Sequence, residues 1–233
     1  MGPTMQYDAI FFDIGNTLYF YNYEFLCGLL SERFNIEVNR AEIAEAHRKA
    51  QLSVISQGLD GLTHAEILDR TYGRWFELVG IDERVRGSVI DSIRRHPFKH
   101  MFWTRMDEGT KEMLDWFRER GMRLGIISNA EGQIKRLLDH TGLDSRFEVI
   151  IDSSEVGVAK PDAEIFRLAL EGLGASPERS IHVGDIIEID VAGARGAGLT
   201  PILVDREGRN SDAGCITVAR AVDLPNLSIF SGA

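Results

Sequence analysis

The sequence predicts an α/β protein, a doubly wound parallel sheet interrupted after its first strand by an all-helical insertion. Three observations carry this prediction. Residues 7–12, Tyr-Asp-Ala-Ile-Phe-Phe, form a short apolar run bounded by polar residues, the pattern of a buried strand. From about Asn22 to His96 the apolar residues recur at helical spacing throughout. From Glu108 onward, short apolar runs alternate with helical segments, and such alternation builds parallel sheets with helices on both faces. The chain has 233 residues, 44% hydrophobic and 27% charged, enough to bury a full core without staples.

Within the insertion, Phe25, Leu26, Leu29 and Leu30 fall on one helical face. Ile43, Ala46, Ala50 and Val54 mark a second helix, and Ile67, Trp75, Leu78 and Val79 a third. Thr63 and Glu66 form a capping box ahead of Ile67. Pro97 closes the last helix, because proline cannot continue one. Beyond it, Glu108–Arg120 reads as a helix with Met113, Leu114 and Phe117 inward and Gly121 as its stop. Met122–Ile127 is a strand, Gln133–Asp139 a helix and Phe147–Ile151 a strand. Pro161–Leu173 is a helix opened by proline in its first turn. Ser180–Val183, Pro201–Val204 and Cys215–Val218 complete the strands, with a helix over Val191–Ala197.

A net charge of −10 argues against a general nucleic-acid binder. Cys27 and Cys215 are the only cysteines and have no metal-type spacing, so two free thiols in a reducing, cytoplasmic setting are expected. No apolar run approaches the roughly 18 residues of a membrane span. No heptad is present from which an oligomeric state could be read.

In doubly wound sheets function collects at the carboxyl ends of the strands, and here four such places end in small or charged residues. The first strand delivers Asp13-Ile-Gly15-Asn-Thr17 and the second Ser128-Asn129. Lys160-Pro161 follows the third strand, and the fourth ends in Gly184-Asp185-Ile-Ile-Glu-Ile-Asp190. An aspartate with an acid pair suits an oxygen-loving cation such as Mg²⁺. A hydroxyl and a lysine suit the oxygens of a phosphoryl group. His182, inside an apolar strand, reads as structural, and Glu188 as a surface residue.

These four motifs, in this order and spread over nearly the whole chain, resemble the haloacid dehalogenase superfamily of hydrolases. The resemblance implies a Rossmann-like core over residues 1–18 and 100–233, with a helical cap domain over 19–99. It implies a phosphatase acting on a small phosphorylated metabolite, with no nucleic-acid or membrane partner. Asp13 would attack phosphorus and form an aspartyl-phosphate. Thr17 would help hold the loop, Ser128 and the Asn129 backbone would bind the phosphoryl group, and Lys160 would offset charge on nucleophile and substrate. Asp13, the Gly15 carbonyl, Asp185 and Asp190 would hold Mg²⁺, Asp190 either directly or through water.

Position 15 departs from that pattern. Phosphatases of the superfamily carry there a second aspartate, which protonates the leaving group; Gly15 has no side chain to do so. General acid–base help is worth about 10²–10⁴-fold, roughly 3–5 kcal/mol of barrier. Three explanations stand side by side: an acid of the cap such as Glu24 substitutes, the substrate's leaving group needs no proton, or catalysis is weak and the protein is a binding or regulatory module. A metal-independent 2-haloacid dehalogenase also lacks the acid, although Gly184-Asp185 looks like the metal-binding form of the fourth motif. Lys49, in a charged His47-Arg48-Lys49 run, reads as part of a solvated helix face. The aromatic segment Tyr19–Phe25 either lines the pocket entrance or packs the crossing between core and cap, and Trp103 lies on the return crossing. Arg94, Arg95, Lys99 and His100, near that crossing, read as solvated.

Overall fold

The computed structural model describes residues 6–59, 61–210 and 212–230. The chain divides into two compact units, Tyr21–Phe102 and the remainder. The remainder carries a parallel sheet of β1 (Ala9–Phe12), β2 (Arg123–Ser128), β3 (Val149–Asp152), β4 (Ser180–Gly184), β5 (Thr200–Val204) and β6 (Ile216–Val218). The strand order is β3-β2-β1-β4-β5-β6, and every neighbouring pair is parallel. β1 is fully buried along its length. Its side chains alternate between two cores: Ile10 and Phe12 join one cluster, Ala9 and Phe11 the other. That alternation is the two-residue period of a strand with both faces covered.

The other unit is helical: α1 (Tyr23–Phe34), α2 (Arg40–Ser56), α3 (His64–Leu78) and α4 (Glu83–Arg94). The capping box is formed: the Thr63 side chain accepts from the Glu66 amide, and the Glu66 carboxylate accepts from the Thr63 amide. In α3 the buried face is Thr71, Tyr72, Trp75 and Phe76, whereas Leu78 is exposed. The expected face through Leu78 and Val79 is therefore displaced by one turn; the aromatic triad at i, i+3 and i+4 carries more apolar area. Trp75 is the hub. Its indole N–H donates to the Ile43 carbonyl, 2.8 Å away, and His47 stacks on its ring at 3.8 Å between centroids.

Around the sheet run α5 (Thr110–Glu119), α6 (Ile134–Thr141), the single turn α7 (Ser153–Val156), α8 (Ala163–Leu173) and α9 (Ala192–Gly196). α5 and α6 supply Met113, Leu114, Phe117, Leu137 and Leu138 to the cluster with Ile10 and Phe12. α8 supplies Ile165, Phe166, Ala169 and Leu170 to the other cluster. Helices on both faces give the doubly wound arrangement. Proline does not open α8. Asp162 does, its carboxylate accepting from the Glu164 amide, and Pro161 lies before that cap. An N-cap oxygen satisfies an orphan amide, which proline cannot do. Before α9, Ile187–Val191 winds as a π-helical turn.

Candidate active site

β1 lies between β2 and β4, and the strand order reverses direction there, so the crevice outside their carboxyl ends is the topological switch point of the sheet. Asp13 is the first residue past β1, and its amide donates to the Val183 carbonyl of β4 at 2.8 Å. Ser128 ends β2 and Gly184 ends β4. The register therefore brings Asp13, Ser128 and Asp185 to one edge.

The side chains meet there. Asp13 Oδ1 accepts from Ser128 Oγ at 2.9 Å and from Lys160 Nζ at 2.7 Å. Lys160 Nζ also donates to Asp190 Oδ1 at 2.6 Å. Lys160 reaches the site from the segment between α7 and α8, and its backbone is held on both sides by one side chain. Asn129 Oδ1 accepts from the Lys160 amide at 2.8 Å, and Asn129 Nδ2 donates to the Lys160 carbonyl at 2.9 Å. The Asn129 amide group therefore positions the lysine.

Asp190 is saturated. Oδ1 takes Lys160 Nζ and His182 Nε2, the latter at 2.9 Å, and Oδ2 takes the amides of Asp185 and Ile186 at 3.2 and 3.0 Å. The π-helical turn folds this carboxylate back over the end of β4. It fits because residue 184 is glycine: a Cβ there would overlap the Asp190 carboxylate. Asp185 instead accepts from Asn16 Nδ2 at 3.2 Å. Asn16 has φ 54°, a left-handed conformation asparagine tolerates better than most residues. Thr17 is buried, and its hydroxyl has no hydrogen-bond partner among the described residues. Glu188 is exposed.

Two carboxylates, Asp13 and Asp190, share Lys160, while Asp185 stands outside that pairing. Burial opposes the charge on Lys160, but Asp13 and Asp190 outweigh it and raise its pKa, so it stays protonated. Burial also opposes ionisation of Asp190, but Lys160 and the His182 hydrogen bond overcome it and hold its pKa below the usual carboxylate range. Asp185 goes the other way: enclosure by protein, then the charges of Asp190 and Asp13, push it well above that range. Burial lowers the pKa of His182, which is neutral at pH 7; Nε2 therefore carries the proton it donates to Asp190.

An all-oxygen set holding a carboxylate, Asp185, that forms no ion pair among the described residues and whose pKa the neighbouring Lys160 does not bring down fits a hard divalent ion. No three acidic, histidine or cysteine side chains converge as a closed cage among the described residues. Mg²⁺ does not require one, since it usually keeps several waters and binds through one or two carboxylates. Asp13 and Asp185 fit that role, whereas Asp190 has its acceptor positions filled.

Residues singled out elsewhere fall outside this cluster. Lys49 pairs with Glu45 at 3.5 Å on an exposed face of α2. Glu24 pairs with Arg40 at 2.7 Å, both half-exposed, and Arg94 with Asp69 at 2.7 Å. Tyr19 is fully buried, its hydroxyl 2.6 Å from Thr141 Oγ1, and Tyr21 stacks on Phe102; both pack rather than line an opening. Sequence reasoning missed three contacts: Asn16 on Asp185, His182 on Asp190, and Trp103 beside Gly15. A Cβ at position 15 would stand 3.4 and 3.5 Å from Trp103 Cζ3 and Cη2. An asparagine in a turn and a histidine in an apolar strand were visible signals; the Trp103 approach had none.

A parallel sheet that presents an aspartate, a serine, a lysine and two further acids at its switch point defines a hydrolase core. The chain belongs to the haloacid dehalogenase-like hydrolases, whose family model matches residues 7–198. It is 30% identical over 215 residues to a glyceraldehyde 3-phosphate phosphatase of Methanothermobacter thermautotrophicus, covering 85% of this chain and 86% of that protein. It is 30% identical over 186 residues to the mouse haloacid dehalogenase-like hydrolase domain-containing protein 3, covering 79% and 74%. Among solved structures it is similar to the HAD-hydrolase YfnB of Bacillus subtilis bound to magnesium, with a TM-score of 0.74 over 94% of this chain and 97% of that one at 18% identity.

Proposed function

We propose that the protein is a phosphohydrolase of small phosphorylated metabolites in which Asp13 is the nucleophile. One observation carries the reading: Asp13 Oδ1 is fixed by Ser128 and Lys160, and among the described residues no hydrogen bond goes to Oδ2. One oxygen is thus anchored and the other is left to attack phosphorus. An anionic nucleophile meets an anionic phosphate only if positive charge offsets the repulsion. Lys160 supplies part of that charge at the nucleophile itself. Asp13, Asp185 and the Gly15 carbonyl would hold Mg²⁺, which would supply the remaining positive charge at the transferred group. Ser128 Oγ–H turns from Asp13 to a phosphoryl oxygen when substrate binds, with the Asn129 amide alongside. Asp190 holds Lys160 and the Asp185 backbone in place, and Thr17 is available to steady the loop. The helical unit serves as the cap that sets substrate choice. The phosphatase name of a relative aligned over most of both chains supports this reading.

Asp13→Asn is expected to abolish hydrolysis of 4-nitrophenyl phosphate in the presence of Mg²⁺ while the circular dichroism spectrum stays unchanged. Turnover near the wild-type rate would remove Asp13 as nucleophile. Gly15 favours a second reading, a metal-independent 2-haloacid dehalogenase: halide release from 2-chloropropionate in EDTA would establish it in place of the first.

A further inference from the structure

Resting on the phosphohydrolase reading, we infer that Trp103 occupies the place of the missing acid and restricts the enzyme to phosphates whose leaving group departs as a stabilised anion, such as acyl, enol and aryl phosphates. Gly15 follows the nucleophile by two residues, and its side-chain direction is walled by an indole. A Cβ would already touch Cζ3 and Cη2, at 3.4 and 3.5 Å. Trp103 is itself fixed, half-buried against the cluster that contains Phe12 and Ile14. A side chain at position 15 would therefore run against the indole from its first carbon, and the face it meets offers no polar atom. A water there would also face apolar ring carbons where it needs two or more polar partners. Residue 15 is not merely silent; the side-chain direction from it faces ring carbons.

The reaction then balances without an acid at this place. Asp13 Oδ2 forms a bond to phosphorus as the bond from phosphorus to the leaving oxygen breaks, and the electron pair departs on that oxygen. With no proton supplied from position 15, the leaving group must carry the charge until solvent protonates it. A water oxygen then attacks the phosphorus of the aspartyl-phosphate, releasing phosphate and the Asp13 carboxylate, with the proton going to bulk water. Alkoxides are poor leaving groups under these conditions; carboxylates, enolates and phenolates are good ones.

The test compares kcat/KM for 4-nitrophenyl phosphate and phenethyl phosphate with Mg²⁺ in wild type, Gly15→Asp, and Gly15→Asp with Trp103→Ala. The wild type is expected to favour the aryl ester by about 10²–10⁴-fold, the range left unmet by a lost general acid. Gly15→Asp alone is expected to leave that ratio nearly unchanged, because the indole stands against the new side chain. The double variant is expected to gain about 10-fold or more on the alkyl ester and narrow the ratio accordingly. If the double variant fails to fold, Gly15→Asp with Trp103→Leu makes the same comparison. A folded double variant that slows or speeds both esters equally, leaving the ratio where it was, would overturn the role of Trp103. A wild-type ratio near one, or Gly15→Asp alone narrowing it as far as the double variant does, would also overturn the inference while leaving the phosphohydrolase reading intact. Absence of hydrolysis of either ester by the wild type would overturn both.

Discussion

Asp190 accepts four hydrogen bonds, two from backbone amides of its own turn and one each from Lys160 and His182. Asp185, five residues earlier, accepts from one asparagine. The contrast divides the acids into one that braces the site and one that awaits a partner. It has a thermodynamic consequence at Asp185. A carboxyl whose pKa is raised by folding binds its proton more tightly in the native state than in the unfolded chain. Stability is therefore lost as pH rises from the ordinary carboxylate range, about 3.9, through the raised value. Metal-free at pH 7, Asp185→Asn is expected to raise the melting temperature above that of the wild type. Added Mg²⁺ is expected to stabilise the wild type and not the variant. Scanning calorimetry with and without EDTA checks both, and a variant less stable than metal-free wild type would show that Asp185 is not an uncompensated charge. Asp13, Ser128 and Asp185 were legible because each stands at the end of a recognisable apolar run, and Lys160 and Asp190 by their order and spacing after such runs. Asn16 and His182 were visible as residue types, but their partners, and that of Asn129, were not, since these depend on how the strands align, and Trp103 lies far from Gly15 along the chain.

Among the elements, β1 and β2 show how tightly strand faces are matched. Gly125 of β2 pairs with Phe11 of β1, and a Cβ on it would lie 2.7 Å from both Phe11 Cδ1 and Val149 Cγ1. The neighbouring side chains cover the glycine from both strands. Gly125→Ala therefore overpacks the face beneath α8, and the expected cost is about 1–3 kcal/mol. Urea unfolding monitored by far-UV circular dichroism measures it; an unchanged midpoint would mean that the strands separate without strain. The strand sequence and the alternation with helices were readable in advance, because the apolar runs are short, β-branched and bounded by turns. The ends were less so. α8 begins at Ala163 because Asp162 caps it, and the π-helical turn at Ile187–Val191 carries Asp190, whose carboxylate accepts from the amides of Asp185 and Ile186. The buried face of α3 was misplaced by one turn because Leu78 and Val79 satisfied the period as well as Tyr72 and Phe76 do.

For the molecule as a whole, the helical unit holds a polar group at its centre. His47 is buried against Trp75, its Nδ1 is 3.0 Å from the Tyr23 hydroxyl, and burial holds its pKa down at about 3. The folded chain keeps this ring neutral, while the unfolded chain takes up a proton below about 6.5. Stability from this group is complete above that value and is lost as pH falls toward 3, at about 1.4 kcal/mol per pH unit. Between pH 7 and pH 5 the loss from His47 is expected to be about 2 kcal/mol. His182, whose pKa burial also lowers, adds to the loss in the same window. Comparing His47→Phe with the wild type separates the two: the variant should lose less stability over that interval in urea titrations, and an equal loss would place the acid sensitivity elsewhere. One further property follows from the ends of the insertion. The Asn22 amide donates to the Phe102 carbonyl at 2.6 Å, and just outside it Phe20 and Arg105 form an antiparallel bridge. The chain leaves the sheet and returns to it side by side. To β1 and β2 the entire run of four helices is equivalent to a long hairpin loop with a clasped stem. Changes of helix length beyond that stem are therefore expected to leave the register of β1, and with it the backbone of Asp13, in place.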